Sequence, residues 1–160
     1  MPEFTRLLEQ EIPGLWRYAR VLAQDTAAAD DLVQSCLAQA LAKAHLWQPG
    51  SDLRAWLFAI LHNLHIDEIR RARREQNGVA AASASLGIAP PDPDACLDLL
   101  DLERAIARLP ERHRRVVLLI GLEGMRCEQA AAILGISAST ARSRLWRARE
   151  RLRKATATEW

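Results

Sequence analysis

"EQAAAILGISASTARSRLWRARERLRK", residues 128–154, is the stretch whose reading decides the fold. It opens on a short alanine-rich segment with the composition of a helix, breaks at Gly135, and resumes after Ser137 in a run that carries six arginines and one lysine. Glycine suits the left-handed exit from a helix, and a serine two residues later suits the N-cap of the next. The spacing predicts helix, tight turn, helix.

A helix advances about 100° per residue. With Arg142 taken as zero, Ala141, Leu145, Ala148 and Leu152 gather in one apolar stripe. Ser139, Arg142, Ser143, Trp146 and Arg147 gather on a face turned away from it. In a helix-turn-helix, such a face docks in the major groove of duplex DNA. There arginine reaches guanine edges, serine meets a base or a phosphate, and an indole packs on a thymine methyl. Arginines on a terminal helix can also do no more than keep it solvated, but the preceding "EQAAAILGIS" favours the DNA reading. Arg144, Arg149, Arg151, Arg153 and Lys154 lie elsewhere on the wheel or beyond the groove and are expected to meet phosphate or solvent.

Upstream, "CLDLLDLERAIARL" is amphipathic, and Pro110 stands where a first-turn proline would open the next helix, "ERHRRVVLLIGLE". The run "VVLLIGL" alone would also suit a strand, but its flanks favour helix. Residues 77–95, "NGVAAASASLGIAPPDPDA", combine small residues and three prolines with no lysine or arginine, the composition of a linker. They separate modules 1–76 and 96–160, each near the lower size at which a helical bundle folds alone.

The N-terminal module shows no sustained strand alternation. Leu8, Ile12, Leu15, Ala19 and Leu22 recur at helical spacing and predict a first helix over 4–23. Asp25 or Thr26 caps a second, "AAADDLVQSCLAQALAKA", with Asp30 and Asp31 early in it, where the helix dipole favours acids. "HLWQPGS" breaks it. Ser51 or Asp52 then caps a third, "LRAWLFAILHNLHIDEIRRARREQ", apolar first and arginine-rich last, with Trp56, Leu57, Ile60 and Leu61 expected in the core. The fold class is therefore all-α: two small helical domains on a flexible tether.

The 160 residues are 49% hydrophobic, enough for a core in each module. The net charge of +2 is unevenly spread: residues 1–75 carry −1, 76–103 carry −5 and 104–160 carry +8. A basic C-terminal third is the electrostatic footprint of contact with a polyanion. The N-terminus lacks the apolar core of a secretory signal, and no apolar run approaches a membrane span, so a cytoplasmic protein is expected. Cys36, Cys96 and Cys127 are too far apart for a metal framework and are read as free thiols.

His62 and His65, one turn apart with Asp67 nearby, raise a metal or acid–base site, but no third ligand or nucleophile accompanies them. There is no glycine-rich phosphate cradle either. Neither an enzyme nor a cofactor or metal is expected.

"LPERHRRVVLLIGLEGMRCEQAAAILGISASTARSRLWRARERLRK" resembles the promoter-reading C-terminal domain of extracytoplasmic-function sigma factors. "AAADDLVQSCLAQALAKA" with "SDLRAWLFAILHNLHIDEIRRARR" resembles their N-terminal domain. The resemblance covers nearly the whole chain in the family's order. It implies a sigma region 2-like bundle over 1–76 and a sigma region 4-like helix-turn-helix over 96–160. These would dock on core RNA polymerase and direct it to promoter DNA.

By the same resemblance, Asp30, Asp31, Leu32 and Gln34 would meet the clamp helices of the polymerase largest subunit, where acids suit a partner bearing arginines. The same residues also fit a helix cap and a solvated face. Ser35 and Cys36 stand where acid and hydroxyl residues are common in the family. The loop "HLWQPGSDLR" would capture an unstacked base of the minus-ten element, with His45, Trp47, Gln48 and Arg54 as stacking and edge-reading groups; Trp47 would equally suit the core. Asn63, Arg70, Arg71, Arg73 and Arg74 would follow the nucleic-acid backbone. Ser139, Thr140, Arg142, Ser143, Trp146 and Arg147 would read the minus-thirty-five element as duplex. The family is usually held inactive by an anti-sigma factor, and one is expected here, as the chain shows no sensor domain.

Three other readings compete. A sigma-like decoy that sequesters an anti-sigma factor without touching DNA has no need of Arg142, Ser143 and Arg147. A dimeric repressor would show a dimer seam, and an RNA-acting enzyme would need a catalytic set.

Overall fold

The computed structural model describes residues 2–23, 25–78 and 97–157. Within them the chain is helical: α1 (Pro2–Ala23), α2 (Thr26–Ala42), a short 3-10 turn (Ala44–Leu46), α3 (Leu53–Gly78), α4 (Leu97–Arg108), α5 (Glu111–Val116), α6 (Cys127–Leu134) and α7 (Ala138–Ala157). It divides into two compact units, Met1–Ile88 and Ala89–Trp160. Asn77 and Gly78, read as the start of the linker, close α3; the rest of that stretch, 79–95, lies outside the described residues.

In the first unit the capping is resolved in favour of the acids. The Asp25 carboxylate accepts from the Ala27 N–H at 3.3 Å and that of Asp52 from the Ala55 N–H at 3.2 Å. The Ser51 hydroxyl turns back to donate to the Gln48 carbonyl at 2.6 Å. The apolar stripes of α1, α2 and α3 meet in a core of Leu15, Tyr18, Ala19, Leu32, Leu57 and Leu61, with Phe58 edge-on to Tyr18 at 5.4 Å. Of the residues expected in the α3 core, Leu57, Ile60 and Leu61 are buried, whereas Trp56 is half-buried at its edge. Cys36 lies wholly inside, its thiol 3.6 Å from the Leu57 carbonyl oxygen. Burial pushes its pKa up to about 12, so it is a small apolar filler rather than a nucleophile.

In the second unit, "VVLLIGL" is helical, but not as a plain α-helix. Val117–Leu122 is wound as a π-helix that continues α5. The Glu123 N–H reaches back five residues to the Leu118 carbonyl at 2.9 Å, and the left-handed Gly124 (φ 68°) then ends the element. The wider turn keeps Val117, Leu118 and Leu119 all buried.

Pro110 sits at the N-cap, one residue earlier than expected, and its carbonyl accepts from the His113 and Arg114 N–H groups. Arg114 has a role that periodicity does not reveal: its guanidinium donates to the carbonyls of Ile106, Ala107 and Leu109 at 3.3, 2.8 and 3.0 Å, capping the end of α4.

The helix-turn-helix follows its local signals. Gly135 is left-handed at φ 69°, and the Ser137 hydroxyl accepts from the Thr140 N–H at 3.1 Å to start α7. Ala141, Leu145 and Ala148 are buried against the rest of the unit.

Candidate nucleic-acid interface and partner-binding face

With one stripe of α7 buried, the opposite face is presented to solvent. Ser139, Arg142, Ser143 and Arg147 are exposed, and Trp146 is 66% exposed. An indole left in water beside arginines is an unusual way to use a tryptophan unless something covers it. Thr140 differs from its neighbours: it is half-buried, with its hydroxyl 2.8 Å from that of Ser137, and so belongs to the cap of α7. Across the turn, Arg142 Nη1 lies 3.7 Å from Glu128 Oε1, an exposed pair that leaves the guanidinium at the mouth of the motif.

His113, which no spacing or motif in the sequence marks, is buried in this unit. Its Nδ1 has no hydrogen-bond partner among the described residues. Burial lowers its pKa from the ordinary 6.5, and the positive charges of Arg151, Arg112, Arg144 and Arg147 lower it further. The folded unit therefore favours its neutral form. A proton taken up by the unfolded chain below pH 6.5 has no counterpart in the folded one until lower pH, so stability is fully present above pH 6.5 and lost as pH falls below it. Thermal unfolding between pH 7.5 and 5.5 should show this loss, and His113→Gln should flatten it.

In the first unit, Asp30, Asp31 and Gln34 are exposed and lie within about 100° on α2. Leu32 does not join them: it is 0% exposed, about 200° from Asp30, and packs in the core. Its expected contact with a partner is therefore corrected to core packing, where a leucine side chain stabilises by roughly 1.5–3 kcal/mol. Cys36 is likewise inside, and Ser35 is exposed. Asp30 is held from the neighbouring helix: Trp16 Nε1 donates to Asp30 Oδ1 at 2.7 Å, and the Arg20 guanidinium lies over the Trp16 ring at 5.6 Å.

The segment after α2 exposes His45 and Gln48, but Trp47 is half-buried, its ring 5.5 Å from that of Phe4. One face of Trp47 is thus taken by the core, and its Nε1 has no partner among the described residues. Arg54 is half-buried, 3.7 Å from Glu11 and 5.8 Å above Phe58. Trp47 and Arg54 line an open cleft of about 390 Å³ with Asp52, Glu3 and Glu11, so it presents more acceptors than donors. Farther along α3, Asn63, Arg70 and Arg74 fall on one exposed stripe, flanked by Arg71 and Arg73. His62 and His65 point into the core while Asp67 is exposed, so the three do not converge. No helix among the described residues is long and apolar enough to cross a membrane.

Comparison with known proteins finds two family models along the chain. Residues 8–62 match the family model described as the sigma2 domain of PhyR, and residues 99–152 match sigma-70 region 4. The chain is 39% identical to the ECF RNA polymerase sigma factor EcfG of Rhodopseudomonas palustris, over 88% of this chain and 78% of that protein. It is 36% identical to the ECF sigma factor SigL of Mycobacterium tuberculosis, over 87% of this chain and 80% of that protein.

Among solved structures, the sigma factor RpoE of Bartonella quintana, in complex with the anti-sigma factor NepR, matches with a TM-score of 0.84 and 35% identity over all of both chains. CnrH, in complex with the cytosolic domain of CnrY, matches with a TM-score of 0.71 and 26% identity over 98% of this chain and 89% of that one. With both sigma domains present in order and relatives of this identity covered over most of their length, the chain belongs to the extracytoplasmic-function family of RNA polymerase sigma factors.

Proposed function

We propose that this protein binds core RNA polymerase and directs it to promoters, and that it is not itself an enzyme. The observation that carries the reading is the exposed Arg142, Ser143, Trp146 and Arg147 face of α7 in a chain whose relatives are sigma factors. That face reads the minus-thirty-five element as duplex. The exposed segment around His45 and Gln48, with the cleft beside Trp47 and Arg54, takes an unstacked base of the minus-ten element. The stripe of Asn63, Arg70 and Arg74, with Arg71 and Arg73, follows the backbone. Asp30, Asp31 and Gln34 meet arginine-bearing clamp helices of the polymerase, with complementary charge setting register and on-rate. An anti-sigma factor of the NepR kind restrains the protein by covering these surfaces.

A second reading, that of a decoy, is not favoured by relatives that are sigma factors, but one match bears on it. The first unit matches a model named for PhyR, and Bartonella quintana PhyR is described as an anti-anti-sigma factor. A chain of that kind captures an anti-sigma factor and has no use for polymerase. Size-exclusion chromatography with core RNA polymerase separates the two. Co-elution of the full chain, abolished by an excess of a NepR-type anti-sigma factor, is expected; capture of that factor without co-elution would make the chain a decoy.

A further inference from the structure

Trp16 is not among the residues read as touching a partner, yet its one polar atom is spent on one that is. Asp30 is exposed on α2, and an exposed carboxylate left to itself samples several rotamers. The Trp16 indole N–H, from α1 and 14 residues upstream, donates to its Oδ1 at 2.7 Å, the short distance of a charge-assisted bond. The indole is itself steadied: Trp16 is half-buried, and the Arg20 guanidinium lies over its ring at 5.6 Å. A carboxylate accepts through two oxygens, so Oδ2 remains open to an outside donor while Oδ1 is held.

The bond is a poor candidate for a structural tie. α1 and α2 are already joined by the burial of Leu8, Leu15, Ala19, Ala29, Leu32 and Val33, and a rim hydrogen bond in water adds little to that. Its larger effect is on the carboxylate, whose orientation is settled before a partner arrives, removing part of the ordering cost of binding.

We propose that Trp16, braced by Arg20, is a positioning residue of the polymerase-binding face, acting through Asp30. The proposal rests on the reading of Asp30 given above. Arg20 extends the arrangement onto α1, so the face that meets polymerase is built from two helices rather than one.

The test is a double-mutant cycle read as the affinity of the labelled full chain for core RNA polymerase, with variants Trp16→Phe, Asp30→Ala and both. Trp16→Phe keeps an aromatic ring and removes the N–H. It is expected to weaken binding about 3- to 10-fold, to do so less as salt rises, and to have no further effect once Asp30 is alanine. An equal loss in both backgrounds would show that Trp16 acts through general packing and would overturn the proposal, as would a null effect of Trp16→Phe beside a real effect of Asp30→Ala.

If Asp30→Ala itself leaves polymerase binding unchanged, the assignment of Asp30 fails and the proposal with it, and that result is distinct from the other two. Should Trp16→Phe fold poorly, solvent exchange of the Trp16 indole proton gives an independent reading. Exchange should slow when core polymerase binds the unsubstituted chain and speed up in Asp30→Ala; no change in either case would contradict the proposal.

Discussion

The Arg142→Ala, Arg147→Ala double variant is expected to bind core RNA polymerase as tightly as the unsubstituted chain and yet lose about 100-fold of its transcription from promoters that need the minus-thirty-five element. Each arginine on the exposed face of α7 can make a two-pronged contact with a guanine edge, worth about 1–3 kcal/mol of discrimination, and the two lie on successive turns. Removing both takes away most of the duplex reading while leaving the α7 stripe of Ala141, Leu145 and Ala148 undisturbed. The Arg142–Glu128 pair is exposed at 3.7 Å, so its loss costs little stability. Lys154→Ala, in the last turn of α7, should produce only a small, salt-dependent weakening. Titration of fluorescent core polymerase, alongside abortive transcription on one promoter, separates the two effects.

Arg114→Ala is expected to destabilise the second unit by about 2–4 kcal/mol, because three carbonyls at the end of α4 lose a partly buried charged donor together. In a module of this size that lowers the unfolding midpoint by about 10 °C or more. Arg114→Lys should recover only part of the loss, since an ammonium cannot span carbonyls of Ile106, Ala107 and Leu109 as a planar fork does. Differential scanning calorimetry reads the effect directly. Because the helix-turn-helix is part of that unit, minus-thirty-five reading should fail at temperatures where polymerase binding persists.

The helix-turn-helix was legible because its signals are local. Gly135 needs a left-handed backbone, Ser137 caps its own helix, and the period of Ala141, Leu145 and Ala148 is written within one element. Leu32 is placed by its angle rather than by its match to a family motif: it lies opposite Asp30 on the wheel, on the side that packs in the core. What remained hidden depends on how helices cross. The Trp16–Asp30 bond spans two helices, His113 is buried among arginines of α5 and α7, and Arg114 caps a helix that precedes its own. No period or spacing encodes such pairings. The π-turn after Val116 was hidden for another reason, since an apolar run that is buried all round does not reveal its winding.

Run-off transcription with core RNA polymerase and genomic DNA fragments tests the promoter-directing role most directly. Discrete transcripts that require the unsubstituted chain, and share a common element about 35 base pairs upstream of their starts, are expected. A folded chain that yields no such transcript, while still capturing a NepR-type anti-sigma factor, would contradict that role and leave the decoy in its place.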